Sequence, residues 1–169
     1  MDVPILKPGK IDVVIELVFE ANSTKPTFKL KSPSPDPNGI HFEGDKLVLD
    51  GRSEWMHIRF KIKDNGRGRN ITFPTKSAGA ITYSDDAKLP PKPWRKGESH
   101  QFPDVVATGS SLFFCYTNDP ENVESYYGVT YFIDGVPHTP DPRIKNGFSL
   151  APDGGGMASA VQKPECESN

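Results

Sequence analysis

Cysteine, tryptophan and methionine are all scarce in this 169-residue chain, with two, two and three residues respectively. Two cysteines, Cys115 and Cys166, make a poor disulfide framework and fit a reducing compartment. Long hydrophobic runs are missing as well, since no apolar stretch approaches the roughly 18 residues a membrane-spanning helix needs. The opening Met1-Asp2-Val3-Pro4 has neither the basic nor the apolar region of a signal peptide. A soluble, cytoplasmic protein is the expectation. Nor is there an excess of charge: 20 Lys plus Arg stand against 22 Asp plus Glu, a formal net charge of −2. That balance excludes a nucleic-acid binder held by bulk positive charge.

What the chain does have is punctuation. Seventeen prolines and 15 glycines make up 32 of the 169 residues, too many breaks for long helices. Between the breaks, apolar side chains recur with period two. Ile11, Val13, Ile15, Leu17 and Phe19 alternate with Asp12, Val14, Glu16 and Val18, which reads as a strand with one face in the core. Thr27 to Leu30 is a second extended piece, followed by a proline-rich loop from Ser32 to Gly39.

Lys46 to Asp50 and Glu54 to Ile62 flank Gly51-Arg52-Ser53, a spacing that predicts an antiparallel hairpin. In its second arm Met56, Ile58, Phe60 and Ile62 share one face, leaving Trp55, His57, Arg59 and Lys61 on a wet one. Shorter extended pieces follow at Ile71 to Phe73 and Ala80 to Tyr83. Pro90 to Gly97 reads as an exposed, irregular connection carrying Trp94, because three prolines in four positions forbid helix and central strand alike.

The strongest hydrophobic runs, Ser111 to Thr117 and Tyr126 to Ile133, look buried on both faces and predict antiparallel neighbours in the middle of one sheet. Beyond Asn146-Gly147 the apolar pattern stops. Residues 1–150 are therefore read as one domain and 151–169 as a flexible, Gly-rich polar tail. Seven or eight short strands without a helix predict an all-β, antiparallel two-sheet sandwich, immunoglobulin-like in architecture. The Cys-Trp-Cys spacing of antibody domains is missing.

Chemistry is thinly marked. His41, His57, His100 and His138 supply ligand types without metal-binding spacing, although a neighbouring strand could bring His41 opposite His57. A metal-dependent hydrolase using His41, His57 and a carboxylate is thus the enzyme alternative, which stoichiometric metal lost in His57→Ala would support. Cys115, inside Leu112-Phe113-Phe114-Cys115-Tyr116, reads as a core cysteine rather than a nucleophile. No phosphate-binding loop, nucleophile elbow or pKa-splitting carboxylate pair occurs, so no catalytic residue and no cofactor is assigned.

Short basic clusters such as Arg67-Gly68-Arg69 read as solvated edges. A binding or assembly module is the stronger class. Trp55, His57, Arg59 and Trp94 are its candidate contacts, because exposed aromatics beside cations stack on sugars, peptides and partner side chains. Its partners would be a protein or carbohydrate ligand, or a second copy in a self-associating structural protein, with neither nucleic acid nor membrane.

Ala107 to Asp119, the Tyr-rich strand after it, and Asp141-Pro142-Arg143-Ile144-Lys145-Asn146-Gly147 together resemble the small bacterial proteins of the DP-EP family. The closing Asp-Pro-x-Ile-x-Asn is also similar to inclusion-body proteins of the AidA/PixA type. The resemblance spans about residues 11 to 148 and implies a compact β-sandwich of bacterial origin. It brings no established activity and no functional residue.

Overall fold

The structure, a computed structural model, describes residues 10–50, 55–66, 68–118, 124–139 and 143–145. The residues expected to form the tail lie outside these. Among the described residues the protein is all-β, with no helix and fourteen strands in three open sheets.

The strands are β1 (Lys10–Phe19), β2 (Thr27–Ser32), β3 (Ile40–Glu43), β4 (Lys46–Leu49), β5 (Trp55–Asp64), β6 (Ile71–Thr72) and β7 (Ile81–Ser84). They continue with β8 (Lys92–Pro93), β9 (Asp104–Ala107), β10 (Leu112–Tyr116), β11 (Glu124–Val129), β12 (Tyr131–Ile133), β13 (Val136–His138) and β14 (Arg143–Lys145). A five-stranded sheet runs β2-β1-β5-β10-β9, a six-stranded sheet runs β3-β4-β14-β11-β7-β8, and a small one runs β13-β12-β6.

Period-two patterning places the core. On β1 and β5, Val13, Ile15, Leu17, Phe19, Met56, Ile58 and Phe60 are fully buried, as the alternation requires. From the six-stranded sheet come Leu47, Leu49, Ile81, Tyr83, Tyr127, Val129 and Ile144, which join the same cluster. Aromatic rings knit the layers: Tyr127 lies 5.4 Å from Phe114 and 5.8 Å from Phe60, each pair belonging to opposite sheets. The Tyr116 hydroxyl donates to Ser125 Oγ at 2.9 Å, which in turn donates to the Asp85 carbonyl at 2.8 Å. Two stacked layers with one shared core fit a β-sandwich.

Pairing departs from the sequence reading in three places. The expected hairpin of Lys46–Asp50 with Glu54–Ile62 does not form, because β4 and β5 lie in different sheets. Instead β5 pairs parallel with β1 over ten positions, from Lys10↔Trp55 to Phe19↔Asp64, and β4 pairs parallel with β14. The two hydrophobic runs are likewise not sheet neighbours. They face each other across the core, β10 in one sheet and β11 in the other, which explains why both are so apolar. The second run also breaks at Thr130, where the chain leaves β11 for the small third sheet.

Two local features follow directly from residue chemistry. The β12–β13 hairpin turns at Asp134-Gly135, both with positive φ (49° and 83°), the backbone a two-residue turn of this hand demands. The proline-rich stretch supplies only the two-residue edge strand β8, where a missing backbone donor does no harm.

Candidate functional site

Strand alternation turns Trp55, His57, Arg59, Lys61 and Lys63 away from the core on β5, and Phe113 and Cys115 away from it on β10. The registers then align them in rows across the five-stranded sheet. One row reads Asp12, His57, Cys115, Asp104 across β1, β5, β10 and β9; the next reads Val14, Arg59, Phe113, Val106. Sequence reading placed Trp55, His57, Arg59 and Lys61 on this face and named the first three as contacts. It missed Phe113, whose signal was its place two residues before Cys115 in an alternating strand.

Phe113 is the centre of the arrangement. Its ring lies 4.8 Å from the His57 ring, and the Arg59 guanidinium carbon sits 5.8 Å from its centroid, inside cation–π range. His57 Nδ1 stands 3.3 Å from Asp12 Oδ1, which fixes the imidazole against the aromatic ring. Arg59, Lys61 and Lys63 are exposed, forming a cationic stripe along β5. Trp55, at the start of the same face, is half-buried, and its indole nitrogen is enclosed without a hydrogen-bond partner.

Trp94 does not belong to this surface. Expected to be exposed in its proline-rich loop, it is 2% exposed and part of the core, with Nε1 donating to the Phe102 carbonyl at 2.6 Å. The loop folds inward because the indole is too large an apolar group to leave in water once its single donor has a buried acceptor. The four candidate contacts therefore reduce to three on one face.

His41 and His57 are not brought opposite each other. His41 sits on the edge strand β3 of the six-stranded sheet, while the strands flanking His57 are β1 and β10. His41 Nδ1 is 2.9 Å from the Gly39 carbonyl oxygen and Nε2 is 3.1 Å from Glu43 Oε2; that carboxylate contact raises the imidazole pKa above its ordinary value. Among the described residues, no group of three or more His, Cys, Asp or Glu side chains could hold a metal ion.

Two further corrections concern charge and sulfur. Arg69, read as part of a solvated basic edge, is half-buried and donates to the Ser23 and Glu20 carbonyls and to the Asp64 carboxylate. It fastens the turn after β1 to the end of β5, and it holds the Asp64 carboxyl below the usual carboxylate range. Cys115 is disulfide-bonded rather than a free core thiol.

Among the described residues no helix is long and apolar enough to cross a membrane. No protein-family model matches the chain, and no curated protein matches it.

Proposed function

We propose that the protein is a non-enzymatic binding module whose recognition surface is the outward face of the five-stranded sheet, and whose ligand is an acidic peptide segment of a protein partner. The observation that supports this most is the cation-flanked ring: Phe113 held between His57 and Arg59, with Lys61 and Lys63 continuing the positive stripe. A fixed aromatic gives an apolar anchor at small entropic cost, and the adjoining cations select carboxylates around it.

Within this proposal the sandwich is immunoglobulin-like and of bacterial origin, in keeping with the DP-EP resemblance. An enzyme built on His41 and His57 gains nothing from the geometry, which sets them in different sheets.

Calorimetric titration tests the reading. Synthetic decapeptides with two glutamates beside one hydrophobic residue are added to the reduced full-length protein, with glutamine-substituted peptides as controls. Binding confined to the acidic set, weakened at least tenfold by Arg59→Ala and by Phe113→Ala, is the expected result. Equal binding of both sets, or no binding to either, would overturn the proposal.

A further inference from the structure

The proline-rich connection after β7 has no part in the surface described above. Proline fixes its own φ at an extended value and pushes the residue before it out of the helical region. With prolines at 90, 91 and 93, every residue of 89–93 is either a proline or the neighbour before one, so the stretch is extended by its own chemistry. Pro90 and Pro91 lie outside any strand, and Lys92 and Pro93 form β8 at the end of the six-stranded sheet. Residues 88–93 are all exposed, and Leu89 is 59% exposed, a large apolar side chain left in water.

Both ends of the stretch are fastened. Before it, the Leu89 amide donates to the Asp86 carbonyl and the Lys88 amide to Asp86 Oδ1, each at 2.9 Å. After it, Trp94 is the one buried residue within 88–98, and its amide donates to the Ile81 carbonyl at 2.9 Å. A segment held at both ends has already lost much of the chain entropy that docking would otherwise take from it. Its exposed edges also match a single docking geometry. A polyproline II helix, with about three residues per turn, sets Leu89, Lys92 and Arg95 along one edge and Pro90 and Pro93 along the next. Trp94 falls with Pro91 on the third, the edge that faces away from a partner.

Charge narrows the partner. Residues 88–96 hold four cations, Lys88, Lys92, Arg95 and Lys96, and no acid. Lys92 Nζ lies 4.0 Å from Glu98 Oε1 and Lys96 Nζ lies 3.4 Å from Asp104 Oδ1, whereas among the described residues no ion pair holds the exposed Arg95. From these observations we infer that residues 89–95 are a docking segment for a protein domain whose groove is lined with aromatic side chains and ends in an acidic pocket. The aromatic rings take Leu89, Pro90 and Pro93, the way extended proline-rich ligands are read. A carboxylate in the pocket takes the Arg95 guanidinium, which lies two positions past the last proline. The segment belongs to the edge of the six-stranded sheet, so its docking is independent of the acidic-peptide reading.

The probe is a panel of purified SH3 domains, some with an acidic pocket beside the aromatic groove and some with a neutral one. Each is titrated into isotope-labelled full-length protein and followed by nitrogen–proton correlation spectra. Members with the acidic pocket are expected to move the amides of Leu89, Lys92 and residues 94–96 while those of residues 57–63 stay still. Pro90→Ala and Arg95→Glu, both at exposed positions, should each weaken that binding at least tenfold without changing the melting temperature. Arg59→Ala should leave it unchanged. Failure of every panel member to bind the intact protein would overturn the inference, and so would equal binding by acidic and neutral grooves. A free peptide of residues 88–98 that binds where the intact protein does not would overturn it as well, because the fold would then be hiding the segment.

Discussion

Arg69 shows how a single residue can carry more structure than its neighbourhood suggests. The triplet around it has every mark of a solvated turn, but the guanidinium reaches two carbonyls and a carboxylate that lie 46, 49 and 5 positions away in the chain. Nothing local encodes those acceptors, so their convergence was not legible beforehand. The Asp64 pKa is lowered by this contact, which gives the pH dependence a definite sign: the stabilisation is present above the ordinary carboxylate pKa and is lost as pH falls through the depressed value. Urea denaturation of wild type and Asp64→Asn should therefore differ at pH 6, and the difference should shrink as the pH is taken below the ordinary carboxylate range.

Tyr127 makes a second case. Its hydroxyl is enclosed without a partner, and burial drives its pKa upward. Because an unpaired buried hydroxyl costs free energy, Tyr127→Phe is expected to raise stability by about 1 kcal/mol in the same urea assay.

At the scale of the element, alternation was readable and pairing was not. The wet and dry faces of β5 emerge from seven or eight side chains in a row, which is local information. The parallel partner of β5, however, is β1, some 45 positions earlier in the chain, and no turn signal announces such a pair. On β10 a dense apolar run hid the alternation, so Phe113 escaped notice. The two adjacent phenylalanines now offer a sharp comparison. Phe114→Ala removes a fully buried ring and should cost about 3–5 kcal/mol, whereas Phe113→Ala, on the outward face, should cost well under half as much. Thermal unfolding monitored by circular dichroism reads both. Equal losses would mean that the faces of β10 are assigned wrongly.

Contacts between layers tie the sheets of the molecule to one another. Rings from β5, β10 and β11 meet in the centre, and the Tyr116, Ser125 and Asp85 chain of hydrogen bonds crosses from one sheet to the other. Class and layering were legible because frequent proline and glycine breaks with period-two runs permit little else. Sheet membership was not, because two adjacent strands can pair with each other or part to opposite layers at the same local cost, and the shared core decides. Tyr131 shows the coupling between periphery and core: burial pushes its hydroxyl up to about 12, and that hydroxyl donates to the Thr24 carbonyl in the turn after β1. A raised value means stability is full below the free tyrosine pKa near 10 and declines above it. Alkaline unfolding of wild type between about pH 10 and 12 should accordingly be steeper than that of Tyr131→Phe.

A recognition surface on the outward face of the five-stranded sheet has a location, and location can be measured. Nitrogen–proton correlation spectra of the reduced full-length protein, recorded while the acidic decapeptide is added, report which backbone amides feel the ligand. Shifts clustered on residues 57–63 of β5 and 112–115 of β10 are the expected result. Shifts confined to the edges at β2, β3 or β8, with β5 and β10 unmoved, would contradict it.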